Sequence, residues 1–139
     1  MLRTKFVGKK KKRISTSAAK QKGRLLQQWA AEKISDLTGI PWGPGDDSLI
    51  SSRPMAQKGV DVILRGKALK LAPFSIECKR QESWSVQAWI KQAKENQIPN
   101  TDWALIIRKN KMEPVIVMDA EAFFRILNDA KTKKEGRSC

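Results

Sequence analysis

The chain has 139 residues, 28 Lys or Arg, 14 Asp or Glu, two cysteines and no histidine, for a formal net charge of +14. That length suits one domain with a real core. Without histidine, a His-based triad or general base is excluded, and two cysteines cannot build a cysteine-rich zinc site, so any metal must be held by oxygens, which favours Mg²⁺ or Mn²⁺.

The charge is uneven. Residues 1–24 carry ten basic side chains and no acid, residues 130–139 carry four bases and one acid, and residues 25–129 are nearly neutral at +1. Basic ends attract polyanions without reading sequence. The run Lys9, Lys10, Lys11, Lys12 and Arg13 is therefore read as a nucleic-acid-binding tail rather than a nuclear localisation signal. The plainer alternative is a solvated tail that aids solubility. No apolar run approaches the ~20 residues of a membrane span. No apolar segment follows the basic N-terminus, so a secretory signal is not expected. Cysteine usage gives no disulfide framework, and a reducing, cytoplasmic setting is the default.

Residues 1–14 are expected to be a disordered basic tail. Ser15, Thr16 and Ser17 offer N-cap side chains for a helix to about Thr38, with a stripe of Leu26, Trp29, Ala30, Ile34 and Leu37. Gly39 and Pro41 end it. Residues 39–58 are rich in Pro, Gly and Ser and read as a long functional loop, with Asp46 and Asp47 solvating it. Residues 60–64 and 73–79 read as strands joined by the turn Arg65-Gly66-Lys67. A helix from about Ser85 to Asn96 follows, with Val86, Trp89, Ile90 and Ala93 inward. Strands at Trp103–Arg108 and Val115–Met118 flank a turn. Asp119 caps a last helix to about Ala130, packed through Phe123, Phe124 and Leu127. Residues 131–139 form a basic tail. The order α-β-β-α-β-β-α predicts an α/β domain over 15–130, with a central mixed sheet flanked by helices.

Two strands carry the chemistry. Alternation puts Ser75, Glu77 and Lys79 on one face and Phe74, Ile76 and Cys78 on the other. Charges inside an apolar strand cost free energy unless they pair or bind an ion. Asp61 lies sixteen residues before Glu77, in the other strand. If the two strands are neighbours, two carboxylates and a lysine converge. That is the minimum set for a magnesium-dependent phosphodiesterase: oxygens for a hard cation and a lysine to orient or deprotonate water. The alternative is an ordinary ion pair on a solvated sheet face. Cys78, facing away from Glu77, reads as a core thiol.

With Asp61 upstream of Glu77-Cys78-Lys79, the chain resembles the PD-(D/E)XK nuclease superfamily, with Val60 in place of the proline before the aspartate. Lys22-Gly23, Ser51-Ser52-Arg53 ahead of Asp61, and Gln92 in the following helix are similar to the archaeal-type Holliday junction resolvases. Phage-encoded relatives read like Pro73–Lys79 followed by a Trp such as Trp84. The resemblance spans roughly residues 20–120. It implies a restriction-endonuclease-like core and a homodimer that resolves four-way DNA junctions by paired symmetric nicks. It also implies Mg²⁺, replaceable by Mn²⁺, held by Asp61, Glu77 and the main-chain carbonyl of Cys78, with Lys79 and Gln92 catalytic. In those resolvases a first-helix glutamate adds a ligand; here either Gln27 or Glu32 takes that place. Arg53, Lys58, Arg65, Lys67 and Arg80 flank the site and are expected to touch phosphates. Trp84 packs either at the cleft or at a dimer contact. The implied setting is the nucleoid or a phage-infected cell. The competing readings are another nuclease of the superfamily acting on duplex DNA, a non-catalytic DNA-binding protein on the same fold, and an RNA-binding protein.

Overall fold

The computed structural model describes residues 15–54 and 57–136. Lys9–Arg13 and Cys139 lie outside them. The elements are α1 (Thr16–Thr38), β1 (Ile50–Ser52), β2 (Val62–Leu64), α2 (Gly66–Leu71), β3 (Phe74–Arg80), α3 (Val86–Glu95), β4 (Asp102–Arg108), β5 (Val115–Met118) and α4 (Ala120–Gly136). The five strands form one sheet in the order β1-β2-β3-β4-β5. Only β3 and β4 are parallel; the other neighbours are antiparallel. The molecule is thus an α/β protein with a five-stranded mixed sheet and flanking helices. No helix among the described residues is long and apolar enough to cross a membrane.

Two elements depart from the expected order. The loop after α1 contains β1, a three-residue strand that forms by pairing with β2, Ile50 opposite Leu64. The expected turn at Arg65 opens into α2, of six residues. Both are too short to carry a readable period, and β1 exists only through its partner.

The helix ends follow their caps. Ser15 accepts the Ala18 N–H through its hydroxyl, and Gly39 closes α1 in the left-handed conformation at φ 71°. Asp119 accepts the Ala122 N–H and starts α4. Each is a short polar or Cβ-free residue satisfying backbone groups that the helix leaves unpaired.

The sheet is covered differently on its two faces. On one, α1 lays Leu26, Ala30 and Ala31 over Ile50, Val62, Leu64 and Ile76, and Cys78 packs against this core. On the other, α3 sets Trp89 and Ala93 against Trp103, Leu105 and Ile107. The inward stripe of α3 is as the sequence predicts. That of α1 is correct except at Leu37, which is 74% exposed.

The largest correction is α4. Phe123, Phe124 and Leu127 do not pack inward; Phe124 is 64% exposed, and only Ala122 of this helix is buried. The helix also continues to Gly136, beyond the expected end at Ala130. Its periodic apolar residues were read against a core that the helix barely touches. A groove of about 850 Å³ remains open between α1, the β3–β5 half of the sheet and α4, lined by Trp29, Ile34, Phe74, Ile106, Ile116 and Ile126 among others.

Candidate active site

The site is built where β2 and β3 part. The two strands share a single paired register position, Val62 opposite Ile76. The Asp61 N–H still donates to the Ile76 carbonyl, at 2.9 Å. Beyond that point the Cys78 N–H finds the Asp61 carboxylate, at 2.7 Å, rather than a backbone carbonyl. A side chain thus takes over from the ladder, and Asp61 is held at the fork. The approach to it is fixed from β1, where the Arg53 N–H donates to the Asp61 carbonyl at 2.7 Å. Arg53 also donates through its guanidinium to the Val60 carbonyl. Gly59, at φ 120°, passes so close to that guanidinium that a Cβ would lie 2.8 Å from it.

Glu77 and Lys79 project from β3 toward α3, as the alternation predicts. Each meets one residue of that helix. Asn96 donates its amide N–H to Glu77 Oε1 at 2.7 Å, and Lys79 Nζ donates to Gln92 Oε1 at 2.7 Å. The match is geometric. Four helical residues rise about 6 Å and two strand residues about 6.6 Å, so Gln92 and Asn96 fall in step with Lys79 and Glu77 on a helix running the opposite way. Ser75 continues the series, sharing a 2.6 Å hydrogen bond with Thr101 and accepting the Ile98 N–H at 2.9 Å. Asn96 was not anticipated. The signal that points to it is its spacing, four residues after Gln92 on the same face.

Glu77 is only 2% exposed. Burial, and then the charge of Asp61, push its carboxyl up from the ordinary 4.5 to about 7. Asp61 is pushed up too, by burial, against the pull of the Cys78 N–H. The charge of Asp61 opposes ionisation of Glu77, so the two carboxyls do not both ionise freely. The Cys78 thiol is raised well above its usual value by burial, in keeping with an inert core cysteine.

The raised Glu77 value has a consequence for stability. Between its ordinary 4.5 and about 7 the folded protein binds more protons than the unfolded chain. Stability therefore falls as pH rises through that window and levels off above it. Urea unfolding in EDTA should give a lower midpoint at pH 8 than at pH 5.5. A cation-free midpoint that climbs with pH across this range would contradict the buried pair.

The other candidates separate clearly. Gln27 is buried on the inner face of α1, at 8% exposure, and its Oε1 has no hydrogen-bond partner among the described residues. Glu32 lies on the exposed face. Near its start α1 donates from Lys22 to the Asn110 side chain, which also accepts from Arg80 at the end of β3. Its later residue Leu37 lines the groove together with Phe74, at the start of β3. The helix thus runs antiparallel to β3. Gln27 lies about 7 Å along it from Lys22, on the helix that covers the Ile76 and Cys78 side of the sheet.

The basic residues also divide. Arg53 is committed to the Val60 carbonyl. Arg65 donates to the Ser48 carbonyl and Ser51 hydroxyl and pairs with Asp46 at 3.3 Å, so it closes the loop. Asp46 is fully exposed on the loop, as expected, and also pairs with Arg65. Lys58 and Lys67 are exposed. Arg80 pairs with Glu82 and Asn110 at the rim.

The donors fit a hard divalent cation. They are all oxygens, from two carboxylates that cannot both ionise freely side by side. Among the described residues no three His, Cys, Asp or Glu side chains cluster. The set is open rather than a cage, the arrangement that Mg²⁺ favours when substrate phosphates complete its shell.

No family model matches the chain, and neither a curated protein nor a solved structure does.

Proposed function

We propose that this chain is a metal-dependent DNA endonuclease with a restriction-endonuclease-like core, resolving four-way junctions as a homodimer. The observation that carries the nuclease reading is the meeting of Asp61, Glu77 and Lys79 at the β2–β3 fork, two carboxyls and a lysine close enough for each charge to act on the others. A binding protein has no need of that buried, mutually repelling pair. The junction substrate and the dimer come from the family resemblance. The groove and the exposed Phe124, Leu127 and Ile116 are in keeping with a dimer, since apolar surface of this extent is uncommon on monomers.

Asp61 and Glu77, with the Cys78 carbonyl, would hold Mg²⁺, and Mn²⁺ would substitute; the resemblance makes Gln27 Oε1 the candidate for a further ligand. The chemistry Mg²⁺ supplies when bound is polarisation of a phosphoryl oxygen and a lower pKa for water. Asn96 keeps Glu77 turned toward Asp61. Gln92 holds the Lys79 ammonium over the same end of the strand. Lys79 there orients the attacking water or offsets charge that develops on the phosphate. Lys58, Lys67 and Arg80 attract the backbone without reading bases.

The deciding experiment is cleavage of a labelled four-way junction with Mg²⁺, beside linear duplex and single strand of the same sequence. Paired symmetric nicks on the junction are expected. Equal cutting of linear duplex would keep the nuclease and reject the junction. Tight binding with no cutting under Mg²⁺ or Mn²⁺ would reject the enzyme.

Gln27 offers a check that needs no turnover. Gln27→Glu supplies the first-helix carboxylate that the resemblance implies and buries a further acid. The cation-free variant should unfold at lower urea than wild type, while its affinity for Mg²⁺ rises about tenfold through the added charge. Unchanged Mg²⁺ affinity, read by calorimetry, would remove Gln27 from the set.

A further inference from the structure

The β3–α3 loop carries a large aromatic side chain that the core does not use. Trp84 is 38% exposed, whereas Trp89 and Trp103 are buried. It is nonetheless firmly held. Its indole N–H donates to the Gln81 carbonyl at 3.0 Å. The Gln81 N–H donates to the Arg108 carbonyl at 3.2 Å, and Glu82 accepts the Asn110 N–H at 2.9 Å. The loop is therefore bound to the end of β4. Lys109 sets its ammonium 5.8 Å from the ring centroid. Arg80 and Lys22 converge on the Asn110 side chain beside it.

This setting is charged: Lys109, Lys22 and Arg80 lie around the loop, with Glu82 paired to Arg80. Ile116 on β5, and Phe124 and Leu127 on α4, are exposed apolar side chains of other elements. A fixed, half-open indole among lysines and arginines suits a nucleobase, because every base offers a flat π face and its phosphates meet the cations. Three residues of strand separate Glu77 from Arg80, about 10 Å, and Trp84 follows four residues later in the loop.

We propose that Trp84, with the Lys109 ammonium beside its ring, is a stacking platform for an unpaired base of the DNA strand that enters the cleft. Bases inside an intact duplex have no free face, so the platform selects DNA that is open or branched near the cut. This inference rests on the nuclease reading.

The test uses the full-length protein in EDTA, so that no DNA is consumed. A four-way junction and a linear duplex carry 2-aminopurine at successive positions, at and beside the branch. Wild type should quench one position near the branch. In Trp84→Ala that quenching should vanish, and the ratio of junction to duplex affinity should fall about tenfold, with Trp84→Phe retaining most of both. An unchanged ratio in Trp84→Ala, with duplex binding intact, overturns the platform and leaves the nuclease standing. A change in sedimentation coefficient with base quenching intact would make Trp84 a subunit contact and also overturn it. Failure of wild type to bind either DNA would overturn both readings.

Discussion

Asp61→Asn is expected to lower DNA cleavage by about 10³-fold or more and to leave the fold intact. Asparagine keeps an oxygen for the Cys78 N–H, so the fork between β2 and β3 is still closed. It removes the charge that helps to raise Glu77. Without that repulsion, Glu77 ionises at lower pH, and the cation-free protein becomes as stable as wild type or more so at pH 8. Divalent cation binding should weaken at the same time, because one of two carboxylates is gone. The signature is therefore a split: cleavage and Mg²⁺ stabilisation lost, cation-free unfolding midpoint kept or raised. Retained turnover in this variant would sink the site assignment. Loss of the fold would show instead that Asp61 serves mainly as the strand-fork acceptor.

Lys79→Ala carries the second large effect, a fall of about 10²–10³-fold in kcat with DNA affinity changed less than about threefold. The ammonium is a single charge beside the two carboxyls, held by one neutral partner, Gln92 Oε1. Removing it takes away the positive group placed to meet charge on the phosphate. It leaves Gln92 half-buried, where its amide can turn to water. Gln92→Ala should cost less, about tenfold, because Lys79 stays charged and only its aim is lost. A Lys79 variant that loses affinity as much as turnover would make the residue a phosphate contact and not part of the reaction. One with unaltered kcat would reduce the Lys79–Gln92 pair to a structural hydrogen bond.

How much of this was legible beforehand differs by residue. Glu77 and Lys79 could be placed on one face because a strand alternates regardless of what surrounds it. The inner face of α3 was legible because Val86, Trp89, Ile90 and Ala93 recur at helical spacing. Asp61 was legible as an acid inside an apolar run, but not as the residue that ends the β2–β3 ladder. Whether Gln27 or Glu32 lies inward was open, since both stand on one long helix. Burial separates them. Asn96 was missed because its role needs the rise of α3 to match the rise of β3. The reading of α4 failed for a related reason. Phe123, Phe124 and Leu127 define an apolar side, yet spacing cannot say whether a sheet lies beneath it.

The sequence alone determined the residue types available for chemistry, the absence of histidine, the basic ends, and the side of each strand or helix on which a residue stands. Those follow from composition and from backbone periods that act over a few neighbours. Tertiary structure alone decided that residues 61, 77, 79, 92 and 96 meet, that Gln27 is buried with an unpaired oxygen, that Arg53 and Arg65 are committed to carbonyls, and that Trp84 stays half-open beside Lys109. Such meetings depend on strand order, register and helix direction, which are set by packing between segments far apart in the chain.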